Sequence, residues 1–469
     1  MTLTADVAAT LQPGFVGTVA PAWLERAHAA GLVSVCLYGD NVDPVGGLRP
    51  VCRDLHERMP GVLLATDEEG GDVTRLHYPA GSTAVGNGVL GRLDDSAATR
   101  DAAASIGREL VALGVRLDLA PSVDVNSSPD NPVIGVRSFG ADPGLVARHA
   151  VAWVEGLQST GVAACAKHFP GHGDTVTDSH HALPHVTASL DVLRERELAP
   201  FRAVVEAGVA TVMTSHIVLE ALDAERPATF SPTVIGILRE ELGFDGVLVS
   251  DALDMAGASA ETGIPEAAVR ALAAGVDLLC LGSGTDEDRH TAVRNAVVEA
   301  VRSGRLPRAR VAEAAARVRR LAERHAAPPL PDPTAVAVDT TSPELVARAF
   351  GVSDAGRRWL ASAAPTVVVQ VDTTANLAVG AVAWGPAALG VTEPEHGVPP
   401  GAKVAVVGRG VGPDHPARDT VVRLRERGHE VVLVECGWPR GDADLVTYGA
   451  SPVVAAALLA VLHDEVTLP

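Results

Sequence analysis

The chain has 469 residues, 47% of them hydrophobic, and its 38 basic and 58 acidic residues leave a formal charge of −20. That charge argues against nucleic acid or an anionic membrane as partner, since both need a basic face, and the apolar content excludes whole-chain disorder. No apolar run approaches the roughly 18–20 residues of a membrane span, and residues 1–15 lack the basic and apolar regions of a secretory leader, so a cytoplasmic protein is expected.

Through the first 325 residues, short apolar runs alternate with amphipathic stretches. The runs are Gly14–Val19, Val33–Tyr38, Val62–Thr66, Arg116–Ala120, Val162–Lys167, Ala210–Thr214, Gly246–Ser250 and Val276–Leu281. They are nearly continuous rather than alternating, as strands buried on both faces must be. Eight such runs separated by helices predict an α/β fold, a (β/α)8 TIM barrel over 1–325. Ser231 and Pro232 read as N-cap and first turn of one helix that stops before Gly243, and Leu190–Val205 and Arg308–Arg324 read as longer amphipathic helices. Residues 326–345 open on a proline-rich stretch that cannot continue a helix and read as a linker. Beyond it, strands at Thr366–Val371, Val404–Val407 and Glu430–Val434 with helices at Arg418–Arg427 and Pro452–Leu462 predict a small C-terminal α/β open-sheet domain over 346–469. Gly408-Arg409-Gly410-Val411-Gly412 follows a strand without a GxGxxG register and reads as a turn, not a dinucleotide loop.

Five scattered cysteines without a CxxC pair read as buried, reduced thiols. Among the 38 basic residues only Lys167 and Lys403 are lysine, which hints that these two positions favour a compact ammonium.

In a barrel of this kind the chemistry lies where the strands end. Five consecutive runs end in polar residues: Asp67-Glu68-Glu69-Gly70-Gly71; Ser122 to Asn126 and later Asn131 to Arg137; Lys167 to Thr175; Ser215-His216; and Ser250-Asp251. Lys167–His185 holds five of the sixteen histidines. In Asp178-Ser179-His180 the carboxylate can hold one ring nitrogen while the other faces a substrate, and it stabilises imidazolium, which suits a general acid. The competing reading is an N-capping aspartate beside a surface histidine. Asp251 at a strand end suits a nucleophile, a general base or a metal ligand, or else a structural cap, a role for which Asp254 is better placed. His168, His172, His180, His216 and Asp251 could supply metal ligands, but there is no HxH after the first strand and no HExxH, so no metal or other cofactor is expected. Aromatic residues are only 3% of the chain, which favours a compact pocket over a long cleft lined by stacking rings.

Lys167-His168-Phe169-Pro170-Gly171-His172-Gly173-Asp174-Thr175 followed by Asp178-Ser179-His180 resembles the central signature of the glycoside hydrolase family 3 β-N-acetylglucosaminidases. Asp67–Gly71, Asn131–Gly140 and Ser250-Asp251 resemble its other segments in the same order, so the resemblance spans about residues 14–325. It implies a retaining exo-glycosidase that removes terminal β-linked N-acetylglucosamine from a small amino-sugar glycoside or oligosaccharide, with a role in cell-wall recycling. Asp251 would be the nucleophile. His180, oriented by Asp178, would be the acid/base. Asp67, Arg137, Lys167 and His168 would hold the sugar, with Arg75 and His216 nearby. A neutral imidazole in place of a second carboxylate would not repel inorganic phosphate, so phosphate is expected to compete with water as acceptor. Asp72 departs from the arginine that often follows the glycine pair in this family, and the second domain is short. A β-glucosidase or β-xylosidase preference, a metal-dependent TIM-barrel hydrolase and a non-catalytic sugar-binding protein are the alternatives. Catalysis is expected to need no residue of the second domain.

Overall fold

The computed structural model describes residues 2–177, 183–327, 341–373 and 378–468. Eight short strands organise the first part of the chain: β1 (Leu11–Gln12), β2 (Ser34–Leu37), β3 (Leu63–Thr66), β4 (Val115–Asp118), β5 (Ala163–Phe169), β6 (Thr211–Thr214), β7 (Val247–Val249) and β8 (Leu279–Cys280). Strands β2 to β7 form one parallel sheet in chain order, and β1 pairs in parallel with β8. The pair is tied to both sheet edges. Cys36 N–H of β2 donates to Pro13 O beyond β1 at 3.0 Å, and Ser250 N–H beyond β7 donates to Leu278 O before β8 at 2.9 Å. The result is a curled parallel sheet. Its inner face is apolar where Leu63, Ala65, Leu117, Cys165, Met213 and Val249 meet, and Val318 and Leu321 of the helix Arg308–Arg324 join the same cluster.

Connecting helices begin and end where local chemistry dictates. Asp95 accepts the N–H groups of Ala97 and Ala98 to start Ser96–Leu113, which stops at Gly114 with φ +74°, a conformation glycine adopts without strain. Ser231 caps Val234 N–H as expected. The stretch expected as one helix over Leu190–Val205 is instead broken by a π turn at Leu193–Glu197, continuing as Leu198–Glu206.

The first strand lies earlier than Gly14–Val19. Pro13 has no N–H to extend the ladder, and while Phe15 is buried in the core, Val16 and Val19 are 68% and 73% exposed, so the run there is not a buried strand. The last run narrows to Leu279–Cys280, paired with Leu11 and Gln12.

A second sheet has the order β9 (Gly351–Val352), β13 (Leu445–Val446), β12 (Val431–Glu435), β11 (Lys403–Gly408), β10 (Thr366–Gln370). It is parallel except for β9, and the helices Pro416–Glu426 and Pro452–Leu462 flank it. A helix Pro343–Ala347, capped by Ser342, starts inside the stretch expected as linker. The second sheet's helix Pro452–Leu462 shares a core with Val89, Leu90 and Phe139 of the first part. Backbones approach closely at this junction: a Cβ on Gly88 would lie 2.6 Å from Tyr448 O, so only glycine fits. The glycine-rich turn after β11 is filled from within, because Glu435 at the end of β12 accepts the N–H groups of Gly410, Val411 and Gly437.

Lys403 has a structural assignment. Its buried ammonium donates to Trp359 O, Leu360 O and Ser362 O at 3.3, 3.2 and 2.7 Å, closing the end of the helix Asp354–Leu360 and lying 4.6 Å from the Trp359 ring centre. Three N–H donors meet three carbonyls of the helix end, of which Trp359 O also accepts Ser362 N–H, an arrangement a planar guanidinium would not match. Lys403→Met is expected to cost about 2–3 kcal/mol in urea unfolding, from lost charge-assisted hydrogen bonds and unsatisfied carbonyls. A loss under about 0.5 kcal/mol would remove this assignment.

All five cysteines are free and buried, and burial pushes the Cys52, Cys165 and Cys436 thiols up to about 12, so they are inert thiols. Among the described residues no helix is long and apolar enough to cross a membrane.

Candidate active site

At the carboxyl ends of the curled sheet lies a cavity of about 360 Å³, lined by Asp67, Glu69, Arg75, Arg137, Lys167, His168, His172 and Asp251, with Tyr38, Met213, Cys280 and Ala378 among the remaining walls. Each charged group arrives from a strand end or the loop that follows one. Asp67 and Glu69 come after β3, and alternation along the extended chain puts both toward the cavity while Glu68 turns away. Glu68 instead accepts Thr74 Oγ1 and the N–H groups of Arg75 and Leu76 at 2.8–2.9 Å, shaping the loop that carries Arg75.

The floor is an ion network. The Lys167 ammonium lies 2.7 Å from Asp67 Oδ1 and 2.8 Å from Glu69 Oε1, and Arg137 grips both Glu69 oxygens at 2.8 and 2.9 Å. Glu69 is 3% exposed. Burial pushes its carboxyl up, but the fields and hydrogen bonds of Arg137 and Lys167 outweigh that and hold it well below the carboxylate range. Burial likewise opposes the charge on Lys167, whereas Asp67 and Glu69 reverse the balance and raise it, so the lysine stays an ammonium.

A second carboxylate organises the histidines. Asp124 is fully buried; its Oδ2 meets His168 Nδ1 at 2.7 Å and Ser122 Oγ at 2.9 Å, and its Oδ1 accepts His172 N–H at 2.7 Å. A carboxylate only accepts, so His168 carries its proton on Nδ1, and Nε2 faces Arg137 Nη2 at 3.4 Å. Burial works against the Asp124 charge, yet His168 and His172 hold it below the usual value. Burial and the His168 ring push His172 down to about 4, so this ring is neutral at ordinary pH.

Asp251 follows β7, half-buried in the wall of the cavity, with Oδ1 accepting Ala252 N–H at 2.8 Å. Arg75 lines the cavity while its guanidinium holds Ala378 O at 2.8 Å and Val379 O at 3.5 Å, so a segment next to the second sheet helps to wall the cavity. His216 is fully buried behind the Asp251 loop, Nε2 3.1 Å from Ala252 O and Nδ1 2.9 Å from Thr229 Oγ1, and is not among the lining side chains. Asp72 also points away from the cavity, accepting Ala450 N–H at 2.8 Å. Asp178 and His180 lie outside the described residues. Among the described residues no group of three or more His, Cys, Asp or Glu side chains is arranged to hold a metal ion.

Two site residues escape the sequence reading. Glu69 had a signal: a buried lysine needs a carboxylate, and two-residue alternation at the end of β3 selects Asp67 and Glu69 together. Asp124 lies in the polar strand end Ser122–Asn126, and nothing local marks it as the partner of His168.

A family model described as the glycosyl hydrolase family 3 N terminal domain matches residues 16–321. The chain belongs to glycosyl hydrolase family 3. Within the family it is 36% identical over 295 residues to the Beta-hexosaminidase A of Pseudoalteromonas piscicida, covering 58% of this chain and 49% of that protein. It is 38% identical over 263 residues to the Beta-hexosaminidase LpqI of Mycobacterium tuberculosis, covering 55% and 67%. The chain thus spans about half the length of the first relative and two thirds of the second. The solved structure of a glycoside hydrolase family 3 β-N-acetylglucosaminidase from Paenibacillus sp. str. FPU-7 superposes with a TM-score of 0.86 at 29% identity, over 100% of this chain and 98% of that one.

Proposed function

We propose that this family 3 chain is a retaining exo-β-N-acetylglucosaminidase built as a closed (β/α)8 barrel over 1–325 with a small α/β domain over 346–469. The observation that carries the reading is the placement of the Asp251 carboxylate in one cavity with the Asp67–Lys167–Glu69–Arg137–His168 network, in a chain similar to β-hexosaminidases. A volume near the lower end of the roughly 300–1,000 Å³ of small-ligand pockets suits one sugar ring. Asp67 and Lys167 would bind hydroxyls, while His168 Nε2 and Arg137, held by Asp124 and Glu69, present a fixed acceptor–donor pair to neighbouring ones. Glu69 and Asp124 are then positioning residues.

Asp251 would attack C1, expelling the aglycone oxygen as His180, oriented by Asp178, protonates it. His180 would then take the proton from the incoming acceptor. The carboxylate is re-formed as C1 passes to water, restoring the starting β configuration. Because neutral imidazole adds no negative charge beside the acceptor path, phosphate would compete with water and yield a sugar 1-phosphate.

A panel of aryl glycosides with and without tens of millimolar phosphate tests these statements together. The β-N-acetylglucosaminide is expected to be the best substrate, ahead of the β-glucoside and β-xyloside, and a sugar 1-phosphate is expected among the products when phosphate is present. Turnover of the glucoside alone would overturn the substrate assignment, and exclusive release of free sugar would remove phosphorolysis. His180→Ala is expected to cost about 100-fold on a poor leaving group and under about tenfold on a highly acidic phenol, which needs little protonation. Equal losses on both would remove His180 as the acid.

A further inference from the structure

The turn that carries His168 and His172 into the cavity wall is held from two sides. On one side Asp124 binds the His168 ring and the His172 N–H, and Gly171 N–H closes the turn on His168 O at 2.8 Å. On the other side stands the π turn Leu193–Glu197. Its wide step, with Leu198 N–H donating to Leu193 O, puts both leucines on one buried face and draws Glu197, 1% exposed, in beside them. The Glu197 carboxyl presses on Gly171, where an added Cβ would lie 2.6 Å from Oε2, so no side chain fits between them. The adjacent Arg196 reaches further along the same loop, to Asp174 Oδ2 at 2.6 Å.

A buried carboxyl is costly unless both of its oxygens are matched. Oε1 accepts Arg196 Nε at 2.6 Å, whereas Oε2 has no hydrogen-bond partner among the described residues. Burial pushes this carboxyl up to about 7, with Arg196 opposing the rise and Asp124 and Asp174 adding to it. Other charges on the surrounding helices turn elsewhere. In Pro143–Gln158, Arg148 and His149 face Asp94 and Glu155 faces Arg100, while Arg194 and Arg202 both face Glu241. An ionised Glu197 would therefore press one unmatched oxygen against Gly171, in the field of two further carboxylates.

We propose that Glu197 is a positioning residue for the sugar site: uncharged, it backs the Gly171 turn and keeps His168 and His172 in the cavity wall, and ionised, it displaces that turn. The inference rests on the glycosidase reading above. It gives a group outside the cavity control over how tightly the sugar is held.

The test uses N-acetylglucosamine as a competitive inhibitor of aryl β-N-acetylglucosaminide hydrolysis, because this sugar has no group that titrates between about pH 5.5 and 8.5. For the unmodified protein Ki is expected to rise at least about fivefold across that range, the worth of one hydrogen bond to the sugar. Glu197→Gln keeps the shape and cannot ionise, and should hold the rise under about twofold. Arg196→Gln should keep the rise but move its midpoint to higher pH, since the guanidinium favours the ionised carboxyl. A side chain that only fills space would leave the unmodified protein and Glu197→Gln with the same profile. Parallel profiles, steep or flat, overturn the proposal while leaving the glycosidase reading intact, and so does a midpoint that Arg196→Gln leaves in place. If Glu197→Gln loses its near-UV circular dichroism, the midpoint in Arg196→Gln decides alone. If no aryl N-acetylglucosaminide is hydrolysed at all, the glycosidase reading fails and the role of Glu197 falls with it.

Discussion

Replacing Asp251 by alanine is expected to lower kcat on an aryl β-N-acetylglucosaminide by at least about three orders of magnitude, roughly 4 kcal/mol of barrier, while the protein stays folded. In the proposed mechanism the carboxylate would supply the bond that divides one difficult displacement into two, a role that two of the other cavity carboxylates are poorly placed to take over. Asp67 and Glu69 are committed to the Lys167 ammonium, and Glu69 also to Arg137. Asp251 is half-buried in the cavity wall, where Oδ1 accepts the neighbouring Ala252 N–H, and the variant is expected to stay folded. A small external nucleophile such as azide should rescue turnover and give the α-glycosyl azide, since it enters from the face the carboxylate vacated. A loss under tenfold, or a rescued product of β configuration, would remove Asp251 from the attacking role.

Glu69→Gln is expected to destabilise the protein by about 3–5 kcal/mol, because a buried lysine and a buried arginine lose the anion that compensates them. The loss is a difference between ionised and neutral partners and so depends on pH. The Glu69 carboxyl titrates below its ordinary 4.5 in the folded chain, as burial is outweighed by Arg137 and Lys167. The stabilisation is therefore complete above about pH 4.5 and is lost as pH falls further toward the folded value. Urea unfolding at pH 7 and pH 4 should show the gap between parent and variant narrowing on acidification. A gap that is constant with pH would mean that packing, not charge, carries the role. The same variant should raise KM, since Lys167 and Arg137 are no longer fixed against the cavity floor.

Periodicity made the architecture legible, and ladder chemistry set its limits. Seven of the eight apolar runs in the first part overlap a strand of the curled sheet, because parallel strands buried on both faces leave unbroken apolar signatures. The exception, Gly14–Val19, shows why composition alone misleads: Pro13 ends the ladder, and the valines that follow are exposed. The π turn at Leu193–Glu197 interrupts a helix whose amphipathic pattern reads as continuous. Strand-end segments contained Asp67, Arg137, Lys167, His168 and Asp251 among other polar residues, the family resemblance singled them out, and the fold gathers them around one cavity. Strand-end position could not separate His168, which faces that cavity, from His216, which packs behind it, since both stand at strand ends and differ only in which way the loop turns. Lysine rarity pointed equally to Lys167 and Lys403, one in the cavity and one closing a helix, because both sites need a compact ammonium. Asp124 and Glu197 were hidden for the same reason: each acts through contacts between segments far apart in the chain.

The central claim is that the carboxylate of Asp251 becomes covalently bonded to the sugar. Incubation with a slow fluorinated glycosyl donor, followed by proteolysis and mass spectrometry, measures that directly. One sugar adduct is expected on the peptide containing Asp251, formed in step with loss of activity. An adduct on another carboxylate, or an unmodified protein whose products emerge with inverted anomeric configuration, would contradict it.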